Sequence, residues 1–124
     1  MIVGTGIDIV EIERISRAIQ RNNGFIRRFF TIKEQQYFES RRNRYEVIAG
    51  NFAAKEAFSK ALGTGIRNFA LRDLEILRDA LGKPYINLYG SALKAVQQME
   101  IGKFHISISH CKNYAIASVI AEKG

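Results

Sequence analysis

The stretch from Tyr45 to Leu62 constrains this chain more than any other. It fits one long helix, and Gly63 is a natural stop at its C-terminal end. Val47, Gly50, Ala54, Ala57, Phe58 and Ala61 recur at helical spacing and form one stripe, the expected core face. Most of that stripe is small, so another element can approach the helix closely. Everything else must be arranged around a rod of this length. With 124 residues, 47% hydrophobic and 25% charged, the chain is expected to form one domain over 1–124 with a modest core.

Shorter elements flank the helix. Ile2–Ile9 reads as a strand with Val3, Thr5, Ile7 and Ile9 on one side and Gly4, Gly6 and Asp8 on the other. Ile12, Ile15 and Ile19 predict a helix over 11–21, ended by Asn22-Asn23-Gly24. Thr31 and Glu34 match a capping box that starts a helix running to about Ser40. Strands are predicted over 71–78 and 84–89, joined by a loop at 79–83, then a helix over 91–100 and a final hairpin of 105–110 with 114–122. The order β-α-α-α-β-β-α-β-β predicts an α+β fold. A small, mostly antiparallel sheet packs with the long helix and shorter ones.

Charge narrows the function. Residues 13–44 carry nine basic groups against three acidic, +6 of the total +7. A field of one sign suits an anionic partner: phosphates, an acidic protein or nucleic acid. No apolar run approaches the ~20 residues that cross a bilayer. No leader pattern opens the chain, and the single cysteine, Cys111, excludes an internal disulfide, so the cytoplasm is the expected address.

Four groups of residues carry possible chemistry. Glu56 and Lys60 sit at i and i+4, away from the apolar stripe. They form either an exposed ion pair or a metal carboxylate beside a phosphate-binding lysine. Asp8 is either a helix cap for Glu11 onward or an acidic ligand at a strand end. Gly63 and Gly65 are either a plain helix stop or amides that approach a phosphate, and Gly82-Lys83-Pro84 is a turn by default. Strand alternation places His105, Ser107 and Ser109 on one face and His110 on the other.

Taken together these segments resemble the holo-acyl-carrier-protein synthase family, the short trimeric type of 4′-phosphopantetheinyl transferase. The resemblance rests on residues 4–11 (Gly-Thr-Gly-Ile-Asp-Ile-Val-Glu) and 52–66, which contain Phe-Ala-Ala-Lys-Glu-Ala. Gly82-Lys83-Pro84 and the run from His105 to His110 follow in order. It implies Mg²⁺ on Asp8 and Glu56, and Lys60 on a phosphate of coenzyme A. It further implies that Gly63, Gly65, Gly82, Lys83, Pro84, His105 and Ser107 line the coenzyme A pocket. The first helix region is implied to dock an acidic acyl carrier protein through Arg14, Arg21, Phe25 and Arg28.

The implied activity is transfer of 4′-phosphopantetheine from coenzyme A to a serine of apo acyl carrier protein. The transfer would support fatty acid biosynthesis, in a homotrimer with sites at subunit boundaries. One position departs from the pattern: Asn51 stands where the family commonly has arginine, so a charge on that phosphate is missing or is supplied by a neighbour. The rival reading is a basic nucleic-acid-binding module built on the same charge with Phe25, Phe29, Phe30, Tyr37 and Phe38 interleaved. It leaves Asp8, Glu56 and the glycine turns without a role.

Overall fold

The computed structural model describes residues 1–63 and 69–124. Strands β1 (Ile2–Glu11), β4 (Ile101–His110) and β5 (Tyr114–Lys123) form one antiparallel sheet in the order β1-β5-β4. Strands β2 (Leu74–Arg78) and β3 (Pro84–Leu88) form a separate antiparallel hairpin. The helices are α1 (Ile12–Arg21), α2 (Phe25–Phe29), α3 (Ile32–Ser40), α4 (Tyr45–Ala61) and α5 (Gly90–Gln98). The α+β architecture is as expected, with two small sheets where one was predicted.

Helix α4 runs through the middle. It packs on the inner face of the main sheet through Ala115, Ala117, Val119 and Ala121, all buried. One apolar cluster joins it to the hairpin, α5 and the sheet, and a second joins it to α1, α2 and α3. Because both sides are covered, its buried surface is wider than the predicted stripe and includes Ile48, Asn51, Lys55 and Ser59.

Strand β1 lies against α4 at a distance only glycine allows. A Cβ on Gly4 would stand 1.9 Å from the carbonyl oxygen of Ala61, and one on Gly6 would stand 1.9 Å from that of Ala57. Gly4, Gly6 and Asp8 are therefore the helix-facing side. Val3, Ile7 and Ile9 face outward with Ile116, exposed among the described residues.

Polar groups buried by this arrangement are paired. The Lys55 ammonium donates to Glu34 Oε1 at 2.6 Å, to the Phe29 carbonyl at 2.7 Å and to the Leu71 carbonyl at 3.1 Å. Glu34 Oε2 accepts from Asn51 Nδ2 and from the Ile76 amide. The capping box is present: Thr31 Oγ1 accepts from the Glu34 amide and Glu34 Oε1 from that of Thr31. Burial pushes Glu34 up and Lys55 down, and their mutual attraction opposes both. A lone charge here would cost several kcal/mol, so the pair stands or falls together.

Three elements differ from expectation. Helix α2, started after Gly24, has only five residues, too few to show a period. The strand predicted from Leu71 begins at Leu74, because Asp73 Oδ2 accepts from the Ala70 amide and folds Leu71–Asp73 into one 3₁₀ turn. Strand β4 begins at Ile101 rather than His105, after Glu100 turns the chain at φ 56°. No helix among the described residues is long and apolar enough to cross a membrane.

Substituting Gly6→Ala should lower unfolding stability by about 3 kcal/mol or more, since backbone must move to admit the methyl. Gly24→Ala is the matched control. Its nearest neighbour is an Asn22 side-chain oxygen at 3.4 Å, and the change should stay within about 0.5 kcal/mol. Urea denaturation of both variants checks the difference; equal effects would refute the contact's importance.

Candidate active site

The glycine contact sets the register of β1 on α4. With Gly4 and Gly6 against Ala61 and Ala57, the next inward residue, Asp8, faces the preceding turn. Its carboxylate meets Lys60, whose Nζ lies 3.1 Å from Asp8 Oδ1 and 3.0 Å from the Ile7 carbonyl. Lys60 thus pairs across to the strand and not with Glu56 at i−4. Asp8 is not a helix cap either, since α1 starts at Ile12 with Glu11 in the capping position.

Asp8 and Glu56 open on one cavity of about 450 Å³. Val10, Ile15, Phe25 and Phe52 wall it, and Arg14 also lines it. Burial pushes the Glu56 carboxyl up; the Asp8 charge pushes it further and Lys60 opposes. Two carboxylates whose charges repel, beside a lysine and open to solvent, suit a hard divalent cation. Magnesium usually takes one or two protein carboxylates and fills its remaining positions with water and substrate phosphate. No group of three or more acidic, histidine or cysteine ligands occurs among the described residues.

The other predicted residues fall in several places. Arg14 and Phe25 share the Asp8 cavity, so the basic helix borders the carboxylates directly. Arg21 and Arg28 are exposed on α1 and α2, and the Arg28 guanidinium lies 5.2 Å from the Phe29 ring centroid. Gly63 ends α4 at φ 77°; Gly65 lies outside the described residues. Gly82 (φ 86°) and Pro84 border a separate cavity of about 200 Å³ with Arg78, Tyr37, Ile108 and His110. Lys83 is exposed beside them, its amide bonded to Asp79 Oδ1. His105 and Ser107 lie on the outer sheet face, where His105 Nε2 is 2.9 Å from Glu122 Oε1.

Asn51 is fully buried, and Arg78 Nη2 donates to its Oδ1 at 2.9 Å. Residue spacing misses this contact and that of Lys55 with Glu34, because each joins segments 17 or more positions apart. The signal that could have found them is a polar Asn51 and a charged Lys55 among the apolar residues of the helix.

The chain matches the model of the 4′-phosphopantetheinyl transferase superfamily over residues 4–119. It is 56% identical over 121 residues to the holo-[acyl-carrier-protein] synthase of Alkaliphilus oremlandii, covering 98% of this chain and 99% of that one. The crystal structure of holo-[acyl-carrier-protein] synthase from Neisseria meningitidis superposes with a TM-score of 0.92 at 38% identity, covering 99% of this chain and 100% of that one. The holo-(acyl-carrier-protein) synthase of Bacillus anthracis, solved in complex with CoA (3′,5′-ADP), superposes at 0.83 and 38% identity, covering 100% and 99%.

An acid whose proton affinity is raised by folding makes the folded state lose stability as pH climbs from the unfolded value, about 4.3, through the raised one. Glu56→Gln removes that loss. In chelator at pH 7.5 the variant should melt roughly 2 °C above the parent, a few tenths of a kcal/mol, and at pH 3.5 the two should coincide. Melting curves at the two pH values decide it; a variant less stable at pH 7.5 would contradict the repulsion with Asp8.

Proposed function

The chain belongs to the 4′-phosphopantetheinyl transferase superfamily, and on that premise we propose that it acts as a holo-acyl-carrier-protein synthase. It moves 4′-phosphopantetheine from coenzyme A to a serine of apo acyl carrier protein, with residues 1–124 working as one domain. The observation that carries this reading is that Asp8 and Glu56 share one cavity while Lys60 pairs with Asp8, on the two segments where the chain resembles the family most. Nucleic-acid binding is not favoured: it gives that convergence no task.

Asp8 and Glu56 are the residues that would hold Mg²⁺, which when bound neutralises the pyrophosphate and stabilises negative charge on the transferring phosphoryl group. Lys60, anchored by the Ile7 carbonyl and Asp8, presents a fixed ammonium to the same phosphates. The serine oxygen forms its bond to the phosphorus that bears the pantetheine arm. The bond from that phosphorus to the oxygen of adenosine 3′,5′-bisphosphate breaks. Glu56 has the raised proton affinity that suits it to receive the serine proton. Arg14, which borders this cavity, and the exposed Arg21 and Arg28 of α1 and α2 attract an acidic carrier, while Phe25 offers an apolar contact at the cavity. Such a transfer serves fatty acid biosynthesis in the cytoplasm.

The remaining pocket residues support a homotrimer. Gly82 and Pro84 belong to a cavity other than that of Asp8 and Glu56, and His105 and Ser107 lie on the uncovered sheet face. A second copy seated on Ile7, Ile9 and Ile116 would cover that face and bring its own loop toward the carboxylates. Coenzyme A would then lie at the boundary, with Gly63, Gly65, Gly82, Lys83, Pro84, His105 and Ser107 drawn from two copies.

Incubated with coenzyme A, Mg²⁺ and apo carrier protein, the chain should add one phosphopantetheine to the carrier, read by mass spectrometry. Asp8→Ala and Glu56→Ala should each cut turnover by about 10³-fold, and the double variant should be scarcely worse, because residues that share one ion do not contribute independently. Absence of the mass increase with wild-type chain would refute the reading, and multiplying losses would refute the shared ion.

Assembly has its own check. Ile116→Lys places a charge on the bare sheet face far in sequence from Asp8, Glu56 and Lys60. Sedimentation should show monomers and the transfer assay a loss of about 10²-fold or more, since a site without its second half loses most of its positioning. A wild-type chain that sediments as a monomer with full activity would overturn the trimer.

A further inference from the structure

Strands β3 and β4 are each paired on one side. β3 forms a ladder with β2 and β4 forms one with β5, and no ladder joins β3 to β4. Between their facing edges lies a cavity of about 410 Å³ that takes no part in the proposed transfer. It sits at the edge of the main sheet opposite β1, and shares no residue with the cavity of Asp8 and Glu56. Gly102 lies where it opens. The register of β4 on β5 shifts there, between Ile101 and Lys103, and a bulge bends its strand.

Ile86 and Leu88 of β3, Leu93 and Val96 of α5, and Ile101 and Phe104 of β4 wall the cavity. Apolar walls and a volume within the 300–1,000 Å³ or so of small-molecule pockets suit an apolar ligand. Width decides its shape. The two strands come within 8 Å of each other, Cα to Cα. A peptide strand inserted between them needs two sheet spacings, about 9.6 Å. The slot is too narrow for that and admits something thinner, a single hydrocarbon chain.

Charge decides the end of that chain. Among the described residues no carboxylate lines the cavity, and Lys103 is its one cation. Lys103 forms no ion pair among them either: Glu122 is held by His105, and Glu100 by Lys123. The Asn87 side-chain amide is already given to Glu75. An ammonium beside an apolar slot is complementary to an anion at the end of an apolar chain. We propose that this slot binds an unbranched aliphatic carboxylate, with the chain between β3 and β4 and the carboxylate accepting from the Lys103 ammonium.

Calorimetric titration with hexanoate, octanoate and decanoate tests it, in chelator so that no carboxylate acts through a metal at Asp8 and Glu56. Decanoate should bind with a Kd below about 1 mM. Each added methylene should tighten binding about 3- to 4-fold, the gain expected when one is fully buried. Decylammonium has the same chain and the opposite charge, and should bind at least about fivefold more weakly. Lys103→Ala should remove that difference. Leu93→Trp fills the slot from an exposed position on α5 and should weaken decanoate by about 10-fold or more. Saturating coenzyme A should change the decanoate affinity by no more than about twofold, as for independent sites.

A decanoate Kd weaker than about 1 mM would overturn the proposal. So would equal affinity for decylammonium, or a Lys103→Ala variant that keeps the full preference for the anion. Affinity that ignores chain length would remove the slot as the place of binding, and so would unchanged binding to Leu93→Trp. Should that variant fail to fold, the chain-length series and Lys103→Ala decide. Displacement of decanoate by coenzyme A would move it to the substrate site and overturn the slot. A capped tetravaline peptide that binds where decanoate does not would overturn it in favour of strand addition. Transfer activity enters none of these readouts, so the slot and the proposed reaction stand or fall separately.

Discussion

Backbone contact between β1 and α4 is the constraint from which the rest of the arrangement follows. Gly4 and Gly6 touch the carbonyls of Ala61 and Ala57 with no room for a methyl group. The contact fixes both the distance between strand and helix and their register. Asp8 then has one place to go, beside Lys60 and near Glu56. The same contact turns Val3, Ile7 and Ile9 outward, because alternate residues of a strand must face opposite ways. A carboxylate site and an apolar outer face are two results of one pair of glycines.

Much of this was legible in the residues. The 3.6 spacing over 45–62 gave the long helix almost to its ends, and Thr31 with Glu34 gave the start of α3. Alternation gave the final hairpin, though β4 extends four residues earlier than its polar alternation suggests. What spacing could not give was contact between distant segments. Nothing in the order of residues says that Lys60 turns to Asp8 instead of Glu56. Nor does it say that the glycine side of β1, and not the isoleucine side, faces the helix. The two carboxylates were identifiable through resemblance; their sharing of a cavity with Arg14 and Phe25 needed the fold.

Asn51 ties three segments together from inside α4. An uncharged amide at this buried position bridges Glu34, the Ile76 carbonyl and Arg78. The guanidinium comes from β2 and not from α4, and the amide serves to aim it. A positive charge is thereby held beside the Gly82 loop.

Lys55 has a further effect on how this protein moves. Its ammonium is shared among Glu34 on α3, the carbonyl of Phe29 at the end of α2, and that of Leu71 ahead of β2. None of these segments can open alone without stranding a buried charge, so local opening is replaced by a concerted event. Amide hydrogen exchange across α3, the middle of α4 and the start of β2 is accordingly expected to form one slow, coupled block. The β2–β3 loop has bonds of its own: the amides of Leu81 and Lys83 donate to Asp79 Oδ1 and that of Gly82 to the Asp79 carbonyl. The contacts that shape the Gly82 turn are thus separate from those that aim Arg78.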